Sequence, residues 1–122
     1  MQYTGGKGFF GQQPTPTAKS ASATLTIAEL LTSIVTTSGT AAITLTLPTG
    51  TLSDAGVTAP ALPVNGCFEW AVINTGTSSG AVTVAAGTAH TLVGSATVAI
   101  GTSAGFRTRK TAANTFVTYR VR

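Results

Sequence analysis

The sequence predicts an all-β protein: a single β-sandwich, jelly-roll-like or barrel domain of about seven strands, with one short N-terminal helix and an extended N-terminal arm. Three observations predict it. Residues 66–76 alternate in polarity between two glycines and hold the only Trp of the chain, Trp70. The C-terminal half breaks into short alternating runs, with a glycine-bearing turn roughly every 8–12 residues. The charged fraction is 8%, far below the ~25% of an ordinary soluble domain, while Thr, Ala, Gly and Ser are abundant. A chain of 122 residues suits one domain, here residues 23–122 behind an arm of residues 1–22.

The arm has no sustained periodicity. Pro14 and Pro16 exclude a helix and favour extended geometry, and Gly5, Gly6, Gly8 and Gly11 leave its beginning loose. Two readings stand side by side: a disordered terminus, or a segment that docks on a neighbouring molecule through Tyr3, Phe9 and Phe10. No apolar core of a signal peptide is present in it. Nowhere does the sequence approach the ~18 consecutive apolar residues of a membrane span, so neither an export signal nor a membrane association is expected.

Thr26 precedes Glu29 at capping-box spacing, and Ile27, Leu30, Leu31, Ile34 and Val35 follow at helical intervals, which predicts a short helix over residues 27–35. Gly39 lies where a helix end favours a permissive backbone. The β-branched residues make this helix weak by propensity and dependent on packing. Ile43, Leu45 and Leu47 then alternate with Ala42, Thr44 and Thr46 in a half-buried strand stopped by Pro48. Residues 51–56 suit one helical turn, and Pro60 and Pro63 keep the connection to the next strand extended.

That next strand is central. Phe68, Trp70 and Val72 share one face, and Cys67, Glu69, Ala71 and Ile73 share the other, so the aromatic face is expected to be core. After it the chain reads as a meander of strands over residues 80–85, 88–93, 95–100, 103–109 and 115–121. Val82, Val84, Leu92, Val98, Ile100, Val117, Tyr119 and Val121 are the expected inward positions, and Gly76, Gly80, Gly87, Gly94, Gly101 and Gly105 the expected bends of positive φ.

So little charge implies that much of the surface is covered by other copies of the chain, a homo-oligomer, or is kept wet by hydroxyls. Five of the seven cations lie within the last sixteen residues. Alternation puts Arg107 with Arg109, and Arg120 with Arg122, on one strand face each. Without aromatic platforms or a recognition helix this basicity does not point to nucleic acid; contact with an acidic protein surface fits better.

Catalytic signals are few. His90 is the only histidine, and any triad would have to borrow Asp54 or Glu69, two of just three acids, with no spacing that supports it. A turn-proximal or interface role is the better reading of His90, and a salt bridge to Lys or Arg that of Glu69. Cys67 has no second Cys or His at metal-ligand spacing and reads as a small buried or half-buried filler. The glycine-rich stretches match neither dinucleotide nor phosphate-loop spacing. No enzyme activity, cofactor or metal is expected.

The order of features carries a resemblance: a loose arm, Leu25-Thr26-Ile27-Ala28-Glu29-Leu30-Leu31, Ile43-Thr44-Leu45-Thr46-Leu47-Pro48-Thr49-Gly50, Phe68-Glu69-Trp70-Ala71-Val72-Ile73-Asn74-Thr75-Gly76, and a glycine-punctuated run ending in Tyr119-Arg120. From residue 25 to 122 this resembles small structural proteins of tailed-bacteriophage virions, in particular capsid decoration (cement) proteins. The resemblance implies a homotrimer on the outer surface of an icosahedral head, made in the host cytoplasm, which clamps the major capsid protein and stabilises the shell. Tyr3, Phe9, Phe10, Arg107, Arg109 and Lys110 are the residues expected to touch the capsid. The alternative is a tail-fibre or tail-tip module that binds receptor glycans.

Overall fold

Successive strands go to different sheets. In the structure, a computed structural model that describes residues 11–38, 41–58 and 61–122, β1 (Thr17–Lys19), β3 (Ile34–Thr37) and β5 (Cys67–Asn74) lie side by side and parallel. Between them, β2 (Ala23–Thr24), β4 (Ile43–Thr46) and β6 (Val82–Ala85) do the same in a second sheet. Parallel neighbours cannot be joined by a tight turn. Here each crossover passes through the other sheet and leaves a strand there.

The rest of the chain completes both sheets. β7 (His90–Val93), β9 (Ser103–Ala112) and β10 (Thr115–Arg120) make the first a six-stranded sheet of order β1-β3-β5-β9-β10-β7. β8 (Thr97–Val98) closes the second as β2-β4-β6-β8. The expected meander is therefore corrected. β9 and β10 form a hairpin, but β7 runs parallel to β10 and β6 lies parallel to β4, with β8 antiparallel to it. The strand segments were legible, whereas their partners depend on which sheet each one joins. The fold is mostly β, in two sheets, with ten strands among the described residues rather than about seven.

Two short helices lie in the crossovers. α1 (Ile27–Leu30) begins at the expected capping box: the Thr26 hydroxyl accepts the Glu29 N–H at 3.2 Å and the Glu29 carboxylate accepts the Thr26 N–H at 2.9 Å. It ends far short of residue 35, because Ser33 turns to φ 72° and Ile34–Thr37, all β-branched, enter β3. α2 (Gly50–Gly56) is capped by Thr49, whose hydroxyl accepts the Leu52 N–H at 3.2 Å, and packs on β10 and α1.

Leu25, Ile43, Leu45, Val82, Val84 and Val98 meet Val35, Trp70, Val72, Ala104 and Phe106 in one buried cluster. The aromatic face of β5 is inward as expected: Trp70, Val72 and Asn74 are buried and Phe68 packs at the margin. Trp70 stacks on Phe106 of β9 with ring centroids 4.7 Å apart. Asn74 ends the strand by tying it across to the second sheet, since its amide donates to the carbonyls of Gly80 and Val98, both at 3.1 Å, and accepts the Gly76 N–H at 3.0 Å.

Three expectations fail within this frame. On β10 the inward residues are Phe116 and Thr118, so Val117, Tyr119 and Val121 face out. Of the six glycines expected at positive φ, Gly80, Gly94 and Gly101 have it, and Gly105 instead sits inside β9. The Arg122 guanidinium lies over it, 2.5 Å from where a Cβ would stand, a contact that the exposed arginine could relieve by moving. Thr17–Lys19, within the expected arm, are paired into the large sheet.

Candidate functional site: the two faces of the six-stranded sheet

The inner face carries a chain of polar groups across four adjacent strands. The Trp70 indole N–H donates to the Thr108 hydroxyl at 2.9 Å, Thr108 and Thr118 hydroxyls lie 2.7 Å apart, and Thr118 lies 2.7 Å from His90 Nε2. His90 Nδ1 is 2.8 Å from the Pro48 carbonyl. All four side chains are fully buried.

The two ends fix every proton in between. A carbonyl only accepts, so Nδ1 carries the hydrogen, and the neutral ring then accepts at Nε2 from Thr118. Thr118 in turn accepts from Thr108, and Thr108 accepts from the indole. Burial holds the His90 pKa below its usual value, only partly offset by the Pro48 contact. His90 is turn-proximal as expected, since its backbone closes the Gly87–His90 turn with hydrogen bonds of 2.9 and 3.2 Å, but its side chain points inward. It is a core residue that fastens β7 and β10 to the chain just ahead of α2, and it also stacks obliquely on Phe116 at 5.8 Å. All hydrogen-bonding capacity of the ring is used in this one structural task.

Each acidic side chain is held by a cation. Glu29 pairs with Lys19 at 2.6 Å, and Asp54 of α2 pairs with Lys110 at 2.8 Å while accepting the Asn114 N–H of the β9–β10 turn at 2.8 Å. On the outer face Glu69 pairs with Arg107, its register partner on β9, and with Arg122 at 3.6 Å. The expected salt bridge of Glu69 is present. Hydrogen bonds from Lys110 and Asn114 lower the Asp54 pKa, and Arg107 lowers that of Glu69. For Glu29, burial pulls upward, but Lys19 and the Thr26 N–H prevail and the pKa falls.

The residues expected to touch a partner are divided by the fold. Tyr3, Phe9 and Phe10 lie outside the described residues. Lys110 is on the inner side of β9, where it joins Asp54 and the Leu62 carbonyl and is a fold-holding residue. Arg107 and Arg109 share the outer face with Cys67, Ile73, Val93, Val117 and Tyr119. Cys67 is exposed there rather than buried, because it faces away from Phe68 and Trp70 at the start of β5.

Tyr119 was not anticipated as a surface residue, yet it organises Arg109. Its hydroxyl accepts from Arg109 Nε at 3.1 Å and Nη2 at 2.8 Å, while Nη1 donates to Asn65 Oδ1 at 2.8 Å. The guanidinium carbon lies 5.7 Å from the ring centroid, within cation–π range. Knowing that Tyr119 faces out would have revealed the pair, since Val117 opposes Arg109 in the ladder and Tyr119 follows two residues on.

Among the described residues no group of three or more His, Cys, Asp or Glu side chains is placed to hold a metal, and no helix is long and apolar enough to cross a membrane. Compared with known proteins, the chain matches no family model, no curated protein and no solved structure.

Proposed function

We propose that this is a structural virion protein that binds the outer surface of a tailed-phage capsid and stabilises it, acting as a homotrimer of β-sandwich domains whose arm and outer sheet face contact the major capsid protein. One observation supports the reading most. The carboxylates are held in ion pairs, and His90 and Trp70 in the buried chain, with Cys67 left as a lone exposed thiol. What the large sheet turns to solvent is a face of arginines and half-exposed aliphatic residues, among them Ile73, Val93 and Val121. A broad β face of this kind suits another protein surface, and the resemblance of residues 25–122 to decoration proteins supplies the partner.

The test is re-addition of purified protein to phage heads stripped of their decoration. Saturable binding at hundreds of copies per head, together with a trimer by light scattering, is the expected result. Deleting residues 1–10 should leave the melting transition unchanged and reduce occupancy, because that segment precedes Thr17–Lys19, the first paired strand among the described residues. Absence of any affinity for heads, with binding to receptor glycans instead, would transfer the protein to the tail tip.

A further inference from the structure

We infer that Arg109 and Tyr119 form a carboxylate-recognising anchor for an acidic side chain of the partner protein, an inference that rests on the capsid-binding reading and names the contact within it. The argument is one of unused valence. Each of the three acids of the chain is already neutralised by Lys19, Lys110, or Arg107 with Arg122. Arg109 is held by neutral groups alone, the Tyr119 hydroxyl and the Asn65 amide oxygen. Its charge is fixed in place and has no anion.

A guanidinium has more N–H donors than these three contacts occupy, and its planar fork matches a carboxylate. Tyr119 adds to this. Its oxygen accepts two N–H groups from a cation, which polarises the phenol, and its own proton remains to be donated. Side by side the two groups offer N–H and O–H donors to one anion on a half-exposed face. Because the Arg109 side chain is pinned by Tyr119 and Asn65, little rotamer freedom remains to be lost on binding.

The surroundings favour a protein carboxylate over a nucleic-acid phosphate. Arg107, Arg109 and Arg122 around Glu69 make only a small positive surplus, set among Ile73, Val117, Val93 and Val121 rather than along a basic stripe. Polyphosphate binding draws on many cations at once. A mixed apolar and singly charged contact is the pattern of a protein interface.

The experiment uses the full chain and the variants Arg109→Gln, Arg109→Lys and Tyr119→Phe, each checked for an unchanged thermal melt, against three probes: stripped heads, poly-L-glutamate and single-stranded oligothymidylate. Arg109→Gln should weaken head binding about tenfold, with a smaller loss for Tyr119→Phe, and added salt should narrow both differences. Arg109→Lys should recover only part of the affinity, since an ammonium lacks the fork. Wild-type binding to heads by both Arg109→Gln and Tyr119→Phe would overturn the anchor while leaving the capsid reading intact. Conversely, loss of poly-L-glutamate binding in these variants, with no affinity of any form for heads, would keep the anchor and reject the capsid. Tighter binding to oligothymidylate than to poly-L-glutamate would replace the acidic protein by a nucleic acid.

Discussion

Trp70→Ala should cost about 3–5 kcal/mol of folding stability, by lost transfer energy and by the cavity left behind. The indole is 1% exposed and stacks on Phe106, so its removal opens the centre of the cluster to which both sheets contribute. It also takes away the first donor of the buried chain and leaves the Thr108 hydroxyl without its indole partner. Trp70→Phe separates the two effects, because it keeps a ring against Phe106 and removes only the N–H and part of the volume. Chemical denaturation should rank the proteins wild type, Trp70→Phe, Trp70→Ala. A Trp70→Ala variant that unfolds at the wild-type midpoint would show that the cluster is not centred on β5.

His90 carries the second large effect, and it depends on pH. The folded protein keeps the ring neutral, with a pKa below the ordinary value of about 6.5 that an unfolded chain would show. The unfolded state therefore binds the proton first. Stability contributed by the neutral ring is complete above about pH 6.5 and declines as the pH falls below that value, levelling off below the folded pKa. Protonation would place a hydrogen on Nε2, which faces the proton of Thr118, and would force that hydroxyl and then Thr108 to turn. Because His90 is the only histidine, thermal melts between pH 7 and pH 5 report on this one group, and His90→Gln should flatten the dependence. The same variant should lose about 1–3 kcal/mol at neutral pH for each buried group left unpaired. Carboxylate ion pairs act separately: the pKa values of Glu29, Asp54 and Glu69 are lowered, so their contributions fail below the ordinary carboxylate range. A wild-type melting temperature that stays constant from pH 7 to pH 5 would contradict the chain as drawn.

What could be read beforehand was local. The capping box at Thr26 and Glu29 needs four residues, the alternation of Ile43, Leu45 and Leu47 needs five, and the inward face of β5 follows from Phe68, Trp70 and Val72 alone. What could not be read depends on distant partners. Thr118 is an ordinary surface residue by type and is buried because Thr108 and His90 satisfy its hydroxyl. With Thr118 inward, parity turns Val117, Tyr119 and Val121 outward against their hydropathy. The helix expected to reach residue 35 lost its last part to β3, whose pairing with β1 and β5 outweighs helical periodicity. The candidate anchor was half visible: alternation put Arg107 and Arg109 on one face, but the phenol and the amide that hold Arg109 belong to a neighbouring strand and to the turn before β5.

The routing of alternate strands into alternate sheets also decides how the chain must fold. Residue 17 pairs with 35, 35 with 72, and 43 with 82, so every rung of the parallel half closes a long loop before it gains a single ladder contact. Such non-local topologies fold in milliseconds to seconds rather than microseconds. During that interval the Thr- and Val-rich strands are unpaired, and this chain has few charges to keep them apart. β5 is flanked by β3 and by β9, which begins at Ser103. Until β9 has been made, the strand that holds Trp70 has one open edge, and its indole lacks the Phe106 ring that stacks on it.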